Sequence, residues 1–377
     1  KMWLLLNRAG NYSDYLEAIR HFNVPGQNII FASKSGDIAL WQQGSFPLRW
    51  NDQGLFVMPG TDSSYMWKGY IPHEENPHAY NPVEGYLSSA NQRAADTSYP
   101  YFMPGSYEVY RAIAINRKLA SMNYITAQDM QLLQNNNYNV FAEDARPILL
   151  KYAIKEQLSA VEKKYLSLVE SWNLMNDATE KAPTCFTAWW DSLHAEVFND
   201  DLVQDKMRLA KPEKFVLLEA LQRDSSFKFI DNINTPNKED LYQMVTVALK
   251  KAAKKLASLE KENKLEWAKY KNTTVYHLLK TNAMAFAREG LMNGGGNGII
   301  NASQHDHGPS WRMVVEMTSP TNAYGVYPGG QSGNPGSKFY DNFISHWAKG
   351  MYYKLWFMES AAIEGKKCKW KMSFASK

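Results

Sequence analysis

The sequence has 377 residues, 45% hydrophobic and 21% charged, a balance that suits a folded globular chain and excludes the disordered and collagen-like classes. Lys and Arg number 42 against 38 Asp and Glu, and the resulting net charge of +4 is too small for the electrostatic footprint of nucleic-acid binding. No apolar run reaches the ~18 residues of a membrane-spanning helix, and the only cysteines, Cys185 and Cys368, permit one disulfide but lack the spacing of structural zinc.

The opening Met2-Trp3-Leu4-Leu5-Leu6 is shorter than the ~7–15 residues of a signal-peptide core, and the chain begins inside this apolar segment, the pattern of a piece of a longer protein. Tyr15, Leu16, Ile19 and Phe22 then recur at helical spacing before Pro25-Gly26 and predict a helix. Residues 28–33 and 37–41 flank Lys34-Ser35-Gly36 and predict a β-hairpin. From Gly44 to Gly105, Pro, Gly, Asn, Asp and aromatic residues dominate without periodicity, which predicts a long ordered loop region of the kind that carries function.

Helices are predicted next. The first spans Val109 to Met122, and a second starts at Thr126, where Asp129 completes a capping box. Further amphipathic segments cover about 145–171, 186–198, 212–222 and 239–262. In the last, Val245, Ala248, Leu249, Ala252 and Leu256 form an apolar stripe opposite Lys250, Lys251, Lys254 and Lys255, a solvated face. Residues 311–317 alternate on a two-residue period and predict a strand paired with 323–327. A glycine-rich turn over 328–336 then leads into a helix expected to contain Trp347, Met351 and Leu355. This order predicts an α+β fold in which a mainly helical region, 106–290, is inserted between strands of one sheet system carried by 1–105 and 291–377.

Short motifs for common chemistries are missing. Residues 293–298 are glycine-rich but lack the Lys-Ser/Thr of a phosphate loop, and they read as a flexible turn. His305 and His307 would share one face of a strand, yet no third ligand is visible, so no metal site is predicted. There is no GxSxG, no HExxH and no tight Ser, His and Asp constellation. By composition, Asn91 is a turn residue.

Two phrases carry a resemblance. Gly85-Tyr86-Leu87-Ser88-Ser89-Ala90-Asn91-Gln92-Arg93 follows Trp67-Lys68-Gly69-Tyr70-Ile71-Pro72 and Asn81-Pro82. Downstream, His307-Gly308-Pro309-Ser310-Trp311-Arg312-Met313-Val314-Val315 precedes Pro328-Gly329-Gly330-Gln331-Ser332-Gly333-Asn334-Pro335. In order and approximate spacing, over about residues 1–360, the sequence resembles the penicillin acylase family. The resemblance implies part of an N-terminal-nucleophile (Ntn) hydrolase αββα sandwich with antiparallel sheets, and an amidohydrolase that cleaves an N-acyl amide through an acyl-enzyme. It also implies that Asn91 donates to the oxyanion of the tetrahedral intermediate and that Arg111, on the following helix, supports it, although Arg93 is closer in sequence. Tyr65, Trp67 and Tyr101 are candidate walls of the substrate pocket.

The family nucleophile is a Ser, Cys or Thr freed at a new N-terminus by self-cleavage, with its own α-amino group as base. Here the first residue is Lys1, and Gly44-Ser45, Gly105-Ser106 and Gly336-Ser337 all lack the family setting. The expectation is therefore the C-terminal portion of a β-chain, inactive alone, whose partners are an α-chain and an upstream segment bearing the nucleophile. Such a piece should show an exposed apolar face where the upstream strands pack. Two rival expectations are an inactive ligand-binding homologue and an isolated structural domain. Family members that bind calcium use an Asp shortly after a Tyr-Pro, whereas Tyr99-Pro100 here precedes Tyr101-Phe102-Met103; no cofactor is predicted, and Asp96 is the remaining candidate ligand. The resemblance further implies export to the periplasm or beyond, which would permit a Cys185–Cys368 bridge.

Overall fold

The computed structural model describes residues 1–204, 207–208, 210–357, 370 and 372–375. Helices α1 (Met2–Leu6) and α2 (Tyr12–Ile19) open the chain, and Asn11 caps α2 by accepting from the Asp14 N–H at 2.9 Å. Strands β1 (Gln27–Ala32), β2 (Ile38–Gln43) and β3 (His78–Tyr80) form an antiparallel sheet in that order, with Ile30 opposite Leu40 and Leu40 opposite Ala79. Tyr15 and Ile19 of α2 pack with Met2 and Trp41 on one face of this sheet, which covers Ile29 and Phe31. Ile30 points the other way and is 76% exposed.

Eight α-helices follow among the described residues: α3 (Tyr110–Ser121), α4 (Ala127–Gln134), α5 (Val140–Tyr152), α6 (Ala160–Glu170), α7 (Ala182–Leu202), α8 (Lys214–Arg223), α9 (Leu241–Lys261) and α10 (Trp267–Lys271). A two-residue ribbon, β4 (Val203–Gln204) with β5 (Met207–Arg208), separates α7 from α8. Capping boxes start α4 at Thr126, α6 at Ser159 and α9 at Asp240. The segment read as one amphipathic stretch over 145–171 is split between α5 and α6, because Ser159 starts a new helix there. The main core lies between α7 and α9, where Trp189, Trp190, Leu193 and Val197 meet the stripe Val245, Ala248, Leu249, Ala252 and Leu256. The Trp189 indole N–H is satisfied inside this core by the Val245 carbonyl at 3.0 Å. On the opposite side of α9, Lys251 pairs with Glu196 at 2.7 Å and Lys255 lies over the Tyr270 ring.

The chain then returns to strands. β6 (Thr273–Val275) pairs with β7 (Arg288–Leu291), and a second antiparallel sheet follows from β8 (Arg312–Glu316), β9 (Asn322–Val326) and β10 (Tyr353–Leu355), with β9 in the middle. Among the described residues the strands before the helices form one three-stranded sheet, while those after them form the two-stranded β6–β7 pair and a second three-stranded sheet, so no single sheet joins the two groups. The helix after the glycine-rich turn also differs from expectation. α11 (Ile344–Ala348) contains Trp347 but stops before Gly350, and Leu355 belongs to β10. Gly350 takes φ +70°, and a Cβ there would sit 2.7 Å from the Asn135 side chain, so the backbone turns and pairs with β9. The glycine-rich 293–298 segment is packed rather than open: Asn293, Gly294, Gly295 and Gly296 are buried, and a Cβ on Gly295 would lie 2.0 Å from the Asn301 carbonyl oxygen. No helix among the described residues is long and apolar enough to cross a membrane.

Candidate active site

Asn91 lies in the loop between β3 and α3, which is tied down at both ends. Asn28 of β1 donates to the Ser89 hydroxyl, Ser88 donates to Asn116 of α3 at 2.9 Å, and the Ala90 N–H donates to Gln92 Oε1 at 2.7 Å. Asn91 itself takes φ +64°, a left-handed conformation that asparagine tolerates better than most residues. Arg111, in the first turn of α3, donates through Nη2 to the Ala90 carbonyl at 2.9 Å and to Asn91 Oδ1. The acceptor end of the Asn91 amide is therefore occupied, and Nδ2 is left to donate. Arg93 is engaged elsewhere, donating to the Met103 carbonyl at 3.1 Å.

Asn91 and Arg111 line a cleft of about 410 Å³ together with Glu108, Asn297, His307 and Arg312. Two regions more than 200 residues apart in sequence, around Asn91 and from His307 to Arg312, thus converge on one site. Arg312 is buried: it donates to the Trp347 carbonyl at 2.7 Å and to Asn301 Oδ1 at 2.8 Å, and its guanidinium lies over the Trp347 ring. Burial lowers its pKa. Behind it Lys271, also buried, donates to the Gly294 carbonyl at 2.6 Å and the Ser303 carbonyl at 3.0 Å. Burial, with a contribution from Arg312, brings the Lys271 ammonium down to about 7. The cleft wall therefore carries Arg111 and Arg312 against the single carboxylate Glu108, a field that favours negative charge developing beside the Asn91 amide.

Sequence reasoning did not single out Glu108 or Arg312 as site residues. A signal existed for Arg312: on the two-residue period of β8 it shares the buried face with Val314, and an arginine in a core position needs a reason. Glu108 had no such signal, since only the packing of the loop before α3 brings it to the cleft.

The aromatic candidates fall elsewhere. Tyr65 and Trp67 line a shallow recess of about 370 Å³ with Met66 and Tyr70, and Tyr101 lines another with Arg93 and Tyr99, its hydroxyl donating to the Glu75 carboxylate. Neither recess includes Asn91 or Arg111. His305 and His307 do not share a strand face: His305 Nδ1 meets the Asn272 carbonyl at 2.7 Å, while His307 lines the cleft. Among the described residues no three His, Cys, Asp or Glu side chains group as metal ligands. Asp96, the candidate calcium ligand, accepts through Oδ1 from the Ser98 N–H at 2.9 Å and hydroxyl at 2.6 Å. Cys185 is buried, and burial pushes its thiol up to about 12; Cys368 lies outside the described residues.

The penicillin amidase family model matches residues 1–364. An acyl-homoserine lactone acylase of Pseudomonas syringae pv. tomato is 25% identical over 93% of this chain and 46% of its own length. A penicillin acylase 2 proenzyme from a Pseudomonas species is 23% identical over 48% of this chain and 23% of its own. Among solved structures, a thermostable penicillin G acylase from Alcaligenes faecalis superposes with a TM-score of 0.62 at 17% identity, covering 98% of this chain and 72% of that one, which establishes the shared fold. The chain spans about half the length of the acyl-homoserine lactone acylase that it matches. With a family match along nearly all of its length and the fold of a solved acylase, the chain belongs to the penicillin amidase family.

Proposed function

We propose that this chain supplies the oxyanion-binding part of an amidohydrolase that cleaves an N-acyl amide through an acyl-enzyme. The nucleophile comes from a segment upstream of Lys1, and an α-chain completes the enzyme. Asn91 Nδ2 donates to the oxygen of the tetrahedral intermediate, where charge appears only as the transition state forms. Arg111 holds the amide in that orientation and adds positive potential. The observation that carries this reading is the grip of Arg111 on Asn91 Oδ1, which leaves Nδ2 as the donor end of a left-handed asparagine. The relatives named above are acylases, which supports an acyl group on nitrogen as the scissile unit. The reading carries with it export to the periplasm or beyond.

The test is kinetic. In the complete enzyme, with its upstream segment and α-chain, Asn91→Ala is expected to lower kcat by about 10²–10³ while leaving KM nearly unchanged. The present chain without that segment is expected to give no turnover of a chromogenic N-acyl amide. Acyl-enzyme formation on the present chain alone would falsify the assignment of the nucleophile to an upstream segment.

A further inference from the structure

A second cavity, of about 440 Å³, adjoins the cleft through Glu108, Asn297 and Gly298, which line both. Its chemistry is the reverse of the cleft's. Six aromatic rings line it, those of Tyr110, Phe141, Phe186, Trp190, Phe215 and Trp267. Phe141 stands edge-on to Trp190 at 5.2 Å and to Tyr110 at 5.2 Å, so these three rings form one continuous stretch of the wall. The charged residues lining it are Glu108, Asp191, Glu213 and Lys214, three carboxylates against one ammonium. Asp191 already pairs with that ammonium. Negative charge also crowds the Tyr110 side: its hydroxyl pKa is raised by burial first and then by Asp144, Glu219 and Glu108. Finally, Trp190 lines the cavity, is 1% exposed, and its indole N–H has no protein acceptor among the described residues, so a ligand oxygen within its reach would gain a hydrogen bond.

Aromatic faces attract cations, most strongly when the cation is shielded from water, and an excess of carboxylates around the same space adds to that preference. We infer that this cavity binds an organic ammonium ion carried on an aromatic or aliphatic body, with an oxygen close to the ammonium that accepts from the Trp190 N–H. The inference does not rest on the proposed hydrolysis. Anionic ligands are disfavoured here by the same carboxylates, and belong, if anywhere, to the arginine-bearing cleft next door.

Calorimetry on the full chain tests this with three ligands that share a phenylpropyl body and a hydroxyl: phenylalaninol as the cation, phenylpropanol as the neutral compound and phenyllactate as the anion. Phenylalaninol is expected to bind saturably and about tenfold more tightly than phenylpropanol, the effect of a desolvated cation–π contact, with phenyllactate weaker still. Two exposed side chains then place the ligand in this cavity without risk to the fold. Lys214→Ala removes the competing ammonium and is expected to tighten phenylalaninol about threefold, whereas Glu213→Gln is expected to weaken it about threefold. Absence of saturable phenylalaninol binding, phenyllactate binding at least as tight as phenylalaninol, or affinities indifferent to both substitutions would each overturn the inference.

Discussion

At φ +64° the Asn91 backbone is held in place by the guanidinium of Arg111, which spans the Ala90 carbonyl and Asn91 Oδ1. Both bonds leave the single nitrogen Nη2, whose two N–H directions are fixed in the guanidinium plane, whereas a lysine ammonium is a rotatable point charge on a stem of different reach. In the complete enzyme, Arg111→Met is expected to lower kcat by about 10- to 100-fold through misplacement of the donor, with Arg111→Lys recovering only part of the loss. Steady-state kinetics decides the matter: a rise in KM at constant kcat would assign Arg111 to substrate binding instead of donor positioning. Little of this pair is legible from composition or periodicity. Those identify Asn91 as a turn residue, and only the resemblance gives it a donor's role. Sequence distance even favours the wrong arginine, because Arg93 lies two residues away but its side chain is turned to the Met103 carbonyl. Arg111 reaches Asn91 because α3 packs beneath the loop, a long-range fact that no local pattern encodes.

Among the elements, those with strong local signals match their prediction, and those set by partners do not. α9 follows from its Asp240 cap and its apolar stripe, and β8 with β9 follows from alternation. α11 is mispredicted because Met351 and Leu355 continue an apparent helical spacing past Gly350, whereas the pairing available on β9 decides the actual path. The glycine-rich strap is misread as flexible for a related reason. Its glycines serve close approach, with the strap clamped by Lys271 through the Gly294 and Ser303 carbonyls. That clamp has a pH signature. In the unfolded chain the lysine keeps its proton up to about 10.5, while in the folded protein it releases it at about 7. Between these values the unfolded state binds more protons, so stability rises with pH, and below about 7 the buried charge weighs on the fold in full. Urea midpoints measured across this window are expected to climb in the wild-type chain and to climb less in Lys271→Met. Parallel curves for the two proteins would show that Lys271 does not titrate in the folded state.

For the molecule as a whole, the informative feature is apolar surface on the two small sheets. Ile30 on β1 is 76% exposed, and Met313 and Val315 on β8 are 44% and 40% exposed, although each lies on a strand whose other face is packed. β1 and β8 are also the outer strands of their sheets, where the Ile29 carbonyl accepts from the Tyr15 hydroxyl at 2.8 Å and the Met313 carbonyl from the Gln134 amide at 2.9 Å. Exposed apolar rows favour association, because burying them releases water. The chain alone is therefore expected to self-associate, its sedimentation coefficient increasing with concentration, and to bind a hydrophobic dye. Ile30→Lys combined with Val315→Lys places charge at the centre of both faces without touching either core, and is expected to return the chain to a monomer and reduce dye binding. A wild-type chain that stays monomeric at every concentration would mean that the two faces are too small or too dispersed to drive association. They would then offer little docking energy to the upstream segment proposed above, and that proposal would need another source of affinity.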